Sequence, residues 1–327
     1  MKYLVLGAGS FAGQAIFSHL LREGKDVIGV NRSPLPQKNM WPWLNSLSME
    51  GRWKIFNIYS DLEDLCKFIY EASPNIVIDL MGQGMVAPSW DDPRLWYCVN
   101  LANKAKVLQQ LERLDSLELY IRASTPEVFG SSTNYLSEND SFNPSTPYAI
   151  SHAGIDHHIR CIGRENGFPY LIARFANFYG VGQQFYRVIP RIFLAGYSND
   201  RFILDGGGES VRSFINSDDV VSAYSNMLKK GKPMNEYHFG GTEEVSISDL
   251  VDIICEVAGF SRGELVKDGP ERRGKDQCYR LNCYRSFVEL GWQPKIELRN
   301  GLYKVGKWIS DNIDEFSKYS WSYEHKV

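Results

Sequence analysis

Gly7, Gly9 and Gly13 fall within seven residues at the first passage from an apolar run to a helical pattern. Lys2–Leu6 is short, apolar and ends in glycine, which predicts a strand. Phe11–Glu23 carries Phe11, Ala12, Ala15, Ile16, Leu20 and Leu21 at helical spacing. A turn this bare lets backbone N–H groups approach a pyrophosphate, and the following helix N-terminus adds partial positive charge. At a first strand–helix junction the pattern predicts a dinucleotide site, with Gly7, Ser10, Phe11 and Gly13 as contacts. The alternative is a tight turn that holds no ligand.

The chain then alternates. Strands are predicted at Asp26–Val30, Lys54–Ile58, Asn75–Leu80, Leu117–Ala123 and Tyr170–Arg174, and helices at Leu62–Ala72, Leu95–Leu114 and Pro147–Asn166. Strands separated by helices argue for a parallel sheet covered on both faces. Beyond about residue 180 the texture becomes α+β. Helices are predicted at Arg187–Ala195, Asp218–Lys229, Ser246–Val257 and Leu302–Phe316, with extended pieces at Arg201–Asp205 and Glu236–Phe239. The expectation is a Rossmann-type doubly wound parallel sheet over residues 1–180, with 215–240 returning to it. Residues 181–214 and 241–327 would form a smaller α+β substrate lobe.

Composition narrows the class. The 327 residues are 43% hydrophobic and 23% charged, as in an ordinary globular protein, and the formal charge of −3 offers no basic field for nucleic acid. No apolar run reaches the length of a membrane span, and Met1–Gly7 is too short an apolar start for a signal peptide. The six cysteines show no C-x-x-C spacing, which fits small core residues in a reducing compartment. A cytoplasmic protein without metal is expected.

The second strand ends in Val30-Asn31-Arg32-Ser33. NAD sites usually place a carboxylate here for the ribose 2′-OH, whereas an Arg can pair with the 2′-phosphate of NADP. Asn31, Arg32 and Ser33 therefore favour NADP(H), with NAD(H) the alternative.

Three further segments follow in order: Ser124-Thr125-Pro126-Glu127-Val128-Phe129-Gly130, then Pro147-Tyr148-Ala149-Ile150-Ser151-His152-Ala153, then Arg174-Phe175-Ala176-Asn177-Phe178-Tyr179-Gly180. With the glycine turn they resemble the extended short-chain dehydrogenase/reductase family, the nucleotide-sugar epimerases, dehydratases and ketoreductases. The resemblance covers essentially the whole chain, including Gly206–Phe214, Glu271–Asp276 and Glu289–Pro294.

The resemblance implies the following roles. Tyr148 would take the proton of a sugar hydroxyl, provided its pKa, ordinarily about 10, is pulled toward neutrality. Thr125 would orient the same hydroxyl. The family places a lysine one turn after the tyrosine, to lower its pKa and hold the nicotinamide ribose; this chain has His152, which is only partly charged at pH 7. The outcome is either an active site with altered acid–base behaviour or a cofactor-binding sensor that has lost catalysis. Glu127 matches the base that removes the C5 proton in sugar 4,6-dehydratases, but Pro126 replaces the neighbouring acid. Asp61 and Leu62 would lie by adenine. Leu80 and Gly82 would border the cofactor, and Asn100 would support the site backbone and the cofactor. Asn177, Arg212 and Arg272 would meet the sugar diphosphate. Ser89–Pro93 resembles GDP-sugar dehydratases and reductases.

The expected activity is hydride transfer at C4 of a nucleotide-diphosphate sugar. A 4-keto-6-deoxyhexose 4-reductase is placed first, with 4,6-dehydratase and 4-epimerase as alternatives. Helices 95–114 and 147–166 would pack in a homodimer by the same resemblance.

Overall fold

The computed structural model describes residues 1–36, 40–44, 48–49, 51–270 and 278–325. Seven strands form one parallel sheet: β1 (Lys2–Leu6), β2 (Asp26–Asn31), β3 (Trp53–Ile55), β4 (Ile76–Asp79), β5 (Leu119–Ser124), β7 (Tyr170–Phe175) and β11 (Asn235–Phe239). Their spatial order is β11-β7-β5-β4-β1-β2-β3. The order reverses between β1 and β4, whose register pairs Leu6 with Asp79. The chain leaves in opposite directions there, which opens a crevice beyond the strand ends, where ligands bind in such sheets.

Successive β1 side chains enter different cores, as strand geometry requires. Val5 packs with α1 (Phe11–Arg22) and α7 (Ser217–Lys230) through Ile16, Phe17, Tyr224 and Met227. Leu4 and Leu6 pack on the other face with α2 (Leu62–Ala72), α4 (Lys104–Leu111) and α5 (Pro147–Asn166). Both faces are dry, so the strands are apolar almost throughout. β11 lies parallel to β7, Glu236 opposite Ile172, although about sixty residues of chain separate them.

Helix ends follow local chemistry. Thr146 caps α5 by accepting from Ala149 N at 3.1 Å, and Gly167 closes it with φ of +69°. Ser246 and Asp249 form the capping box of α8 (Ile247–Ala258). α7 carries Asp218 and Asp219 in its first turn and Lys229 and Lys230 in its last, matching the helix dipole.

A third core lies outside the sheet. There α6 (Val188–Tyr197), α8 and α11 (Leu298–Ser310) bury Phe193, Leu250, Ile254, Leu302 and Val305. Beside it, β8 (Asn177–Tyr179), β10 (Val211–Asn216) and β12 (Glu244–Ser246) make a three-stranded sheet; β9 (Phe202–Asp205) pairs with β13 (Val266–Gly269).

Three expectations are corrected. The helix predicted at Leu95–Leu114 is interrupted: α3 (Pro93–Tyr97) passes through a π-helical segment, Cys98–Asn103, into α4. The wide turn accommodates Asn100, bonded to Gln83, and Asn103, bonded to Ile58 O at 2.8 Å. The strand expected at Lys54–Ile58 ends at Ile55, because Asn57 and Asp61 bond into a turn. The final helix breaks at Asp311 and Asn312, leaving Ile313–Phe316 as a separate short helix, α12. Among the described residues no helix is long and apolar enough to cross a membrane.

Candidate active site

The crevice floor is built from the glycine turn and the end of β4. Gly7 has φ of +79°, and a Cβ there would come within 2.8 Å of Leu80 C. A Cβ on Gly13 would lie 2.2 Å from Gly7 O. Bare backbone at both positions lets the turn close onto Leu80 and onto α1. Ser10 caps α1 by accepting from Gly13 N at 3.1 Å. The helix itself offers no acceptor to the N–H groups of Phe11 and Ala12 in its first turn, which suits a phosphate. The turn therefore fits the dinucleotide expected from the sequence.

Asn31 stands at the end of β2 against Gly9, where a Cβ would meet its Nδ2 at 2.5 Å. Asn31 Nδ2 donates to Ser33 O at 3.2 Å, which shapes the turn that carries exposed Arg32. Across β3, Asp61 accepts from Asn57 N at 2.8 Å and from Ser60 Oγ at 2.8 Å. Those two bonds hold its carboxyl below the usual range. Leu62 begins α2 beside it.

Asn100 ties the crevice wall together. Its Oδ1 accepts from Gln83 N at 2.7 Å, and its Nδ2 donates to Gln83 O at 3.0 Å and to Ser151 Oγ at 3.1 Å. A Cβ on Gly82 would touch Asn100 Oδ1, so the wall leaves no room there. Under it, fully buried Lys104 donates to both oxygens of Asp79 at 2.7 Å and to Met81 O. Burial pulls its ammonium down to about 8, with Asp79 opposing. Tyr120 completes the group by donating to Asp79 Oδ2 at 2.5 Å.

Thr125, Glu127, Tyr148 and His152 come together beyond β5. Thr125 Oγ1 donates to Glu127 Oε2 at 3.0 Å and accepts from Glu127 N. Pro126 starts the short 3-10 turn between them and is buried. The Tyr148 and His152 rings lie 4.6 Å apart, one turn apart on α5. Tyr148 is anchored through its backbone N–H to Ser89 Oγ at 3.2 Å.

Both aromatic residues are half-buried, with their ionisable ends enclosed by protein. Burial pushes the Tyr148 phenol above its ordinary value. Glu127 adds to that, while Thr125, Arg187 and Arg122 pull the other way. The condition set for Tyr148, a phenol drawn toward neutrality, is therefore not met by the protein groups alone. The partly charged imidazole is corrected. Burial first, and then the Arg122 charge, hold His152 well below its ordinary pKa, so it is neutral at pH 7.

A second group lies at the three-stranded sheet. Asn177 begins β8, and its Oδ1 accepts from the Tyr279 hydroxyl at 2.7 Å. The Arg212 guanidinium sits 4.9 Å from the centre of the Tyr279 ring. Arg272 falls outside the described residues. The sequence reading missed Tyr279, which follows the apolar pattern of no element. It also missed Arg122, Asp156 and Ser151. An arginine inside the apolar strand Leu119–Ser124 was the available signal, since a buried charge needs a partner. No group of three or more His, Cys, Asp or Glu side chains capable of holding a metal occurs among the described residues.

Comparison with known proteins gives the same picture. The family described as GDP-mannose 4,6 dehydratase matches residues 4–305. The human dTDP-D-glucose 4,6-dehydratase is 27% identical, over 95% of this chain and 91% of its own length. Among solved structures, the Streptomyces venezuelae dTDP-glucose 4,6-dehydratase, crystallised with NAD, superposes with a TM-score of 0.85 at 24% identity, covering 95% of this chain and 98% of that one. The Thermotoga maritima UDP-glucose 4-epimerase, crystallised with UDP-glucose, gives 0.86 at 24% identity, covering 96% and 100%. The match across residues 4–305, on a seven-stranded sheet ordered as above, shows that this chain belongs to the GDP-mannose 4,6-dehydratase family, within the nucleotide-sugar epimerases and dehydratases of the extended short-chain dehydrogenase/reductase type.

Proposed function

We propose that this protein is a nicotinamide-dependent nucleotide-sugar 4-epimerase, oxidising and re-reducing C4 of the sugar while leaving the C6 hydroxyl in place. The observation that carries this reading is Pro126, set between Thr125 and Glu127. Expelling a C6 hydroxyl needs a proton donor beside the C5 base, and proline has none. Glu127 is occupied by the Thr125 hydroxyl and backs the site as an acceptor. The relatives are dehydratases and epimerases, and they lend no support to the 4-reductase placed first from the sequence.

A bound nicotinamide would supply the acceptor and donor of hydride. The chain handles the proton. Thr125 Oγ1 orients the C4 hydroxyl, and the Tyr148 phenolic oxygen takes its proton and later returns it. The neutral His152 offers Nε2–H as a donor for the ribose. Gly7, Ser10, Phe11 and Gly13 would hold the pyrophosphate of the dinucleotide, Asp61 and Leu62 would flank its adenine, and Leu80 and Gly82 would border its nicotinamide half. Asn177 and Arg212 hold the diphosphate, since a guanidinium matches phosphate with paired donors.

NADP(H) is proposed over NAD(H), because residues 31–33 carry no carboxylate and include Arg32. This same feature favours the 4-reductase as a second reading, because a reductase draws reduced dinucleotide from solution. Incubation with UDP-, GDP-, CDP- and dTDP-hexoses, followed by proton NMR and mass spectrometry, separates the readings. A C4 epimer of unchanged mass without net dinucleotide turnover supports the epimerase. Stoichiometric NADPH consumption on a 4-keto sugar supports the reductase. A product lighter by one water rejects both.

A further inference from the structure

Arg122 lies in the middle of β5 and is 1% exposed. Its Nη2 stands 3.0 Å from His152 Nδ1 and its Nε 2.9 Å from Asp156 Oδ1. A guanidinium carries donors only. Nδ1 of His152 is therefore the acceptor, and the ring proton sits on Nε2.

The same contact ends a buried charge cluster. Asp156 Oδ2 accepts from Arg174 at 2.7 Å and from Ser124 Oγ at 2.6 Å. Arg174 reaches Glu236 Oε2 at 2.6 Å, and Arg160 reaches Glu236 Oε1 at 2.5 Å. Three guanidinium groups thus share two carboxylates, Asp156 and Glu236, and one positive charge is left over. Arg122 is the member of the cluster that meets His152. Lys104 adds no second surplus charge, because Asp79 pairs with it.

We propose that Arg122 is a positioning residue that fixes His152 as a neutral Nε2–H donor and places a positive charge one layer deeper, behind the ring that packs on Tyr148. The pattern lysine at 152 and a guanidinium at 122 exclude each other, since two cations about 3 Å apart repel strongly in an enclosed site. The reading of Tyr148 as the proton-handling group gives this pair its catalytic meaning. The groups facing Tyr148 are Glu127 from the turn after β5, Arg187 ahead of α6, and Arg122 from β5. Those facing His152 are Arg122, Asp156 from α5, Lys104 from α4 and Arg174 from β7. Of the cations facing Tyr148, Arg122 alone also bonds His152.

The test is 15N NMR of histidine-labelled protein, with the His152 signal assigned by its loss in His152→Gln. In the wild type Nε2 is expected to carry the proton and Nδ1 to accept, with no titration of the ring between pH 8 and 5. Arg122→Gln keeps a donor to Asp156 but removes the charge, and the imidazole is then expected to titrate within that range. His152→Lys alone is expected to lower the melting temperature by several degrees, and the double variant R122Q/H152K to recover that loss. Asp156→Asn, which frees Arg122 of its carboxylate, is expected to keep His152 neutral throughout, and serves if R122Q does not fold. An Nδ1–H tautomer in the wild type, an imidazole that stays untitrated in R122Q, one that titrates in D156N, or an H152K penalty independent of residue 122 overturns the proposal. The signal is read without turnover, so the expected result in a protein that never acts on C4 rejects the proposed activity and leaves this pair standing.

Discussion

The Tyr279 hydroxyl donates to Asn177 Oδ1 at 2.7 Å, which fixes the side chain of Asn177 at the start of β8. Tyr279 also carries Arg212 against its ring. One aromatic residue thus aligns both groups proposed for the diphosphate. Tyr279→Phe keeps the ring and removes the hydrogen bond, which is worth about 1 kcal/mol. The expected result is a roughly five-fold rise in the dissociation constant for a nucleoside diphosphate, measured by calorimetry. Arg212→Lys is expected to cost more, about ten-fold or beyond, because lysine loses both the paired donors and the aromatic contact.

Gly13→Ala tests the glycine turn. The added Cβ falls 2.2 Å from Gly7 O, a backbone atom that cannot move without opening the turn. Dinucleotide affinity should fall at least ten-fold, with a melting temperature lower by several degrees. Gly24→Ala serves as the control, since nothing lies near its Cβ position; its positive φ makes a small loss of stability the only expected effect.

Arg32 decides the dinucleotide. Arg32→Asp is expected to weaken NADPH binding by more than ten-fold and to leave NADH binding equal or tighter. Fluorescence titration of both dinucleotides against both proteins measures it.

His152 makes stability depend on pH with a defined sign. Its folded pKa is lowered, while the unfolded value is about 6.5. Above that value both states are neutral and the linkage vanishes. Below it the unfolded chain binds the proton that the folded one refuses, so stability falls as pH falls toward the folded pKa. Buried His238 acts in the same direction. Asp156, brought down to about 2 by Arg174 and Arg122 against its burial, keeps its contribution throughout this range. His152→Gln should lessen the loss between about pH 6.5 and 5 and leave the part due to His238, read from urea midpoints across that range.

Much of this architecture was legible because its signals are local. Pro147–Asn166 and Leu62–Ala72 are found with the boundaries expected, the first between a threonine cap and a glycine stop. The succession of strands and helices through Phe175, and the parallel sheet they make, followed from alternation, whereas their spatial order did not. The break at Cys98–Asn103 was not legible, because it depends on Asn100 and Asn103 finding partners far away in sequence. The two-residue strands at Tyr135 and Arg280, 145 residues apart, had no pattern long enough to detect. Within the site, Thr125, Tyr148, His152 and Asn100 came from the family resemblance, and the first three lie together beyond β5. The state of His152 was not legible, because it depends on burial and on contact with Arg122, an arginine far away in sequence. Sequence supplied the imidazole but not the guanidinium behind it.

The account stands most directly on the fate of C4 hydrogen. A nucleotide hexose carrying deuterium at C4 is converted by the purified protein with its dinucleotide, and the product is read by NMR and mass spectrometry. The account predicts the C4 epimer at full mass, with the deuterium returned to C4 and a rate slowed by the heavier isotope. A product lighter by one water, with the label gone from C4, contradicts it.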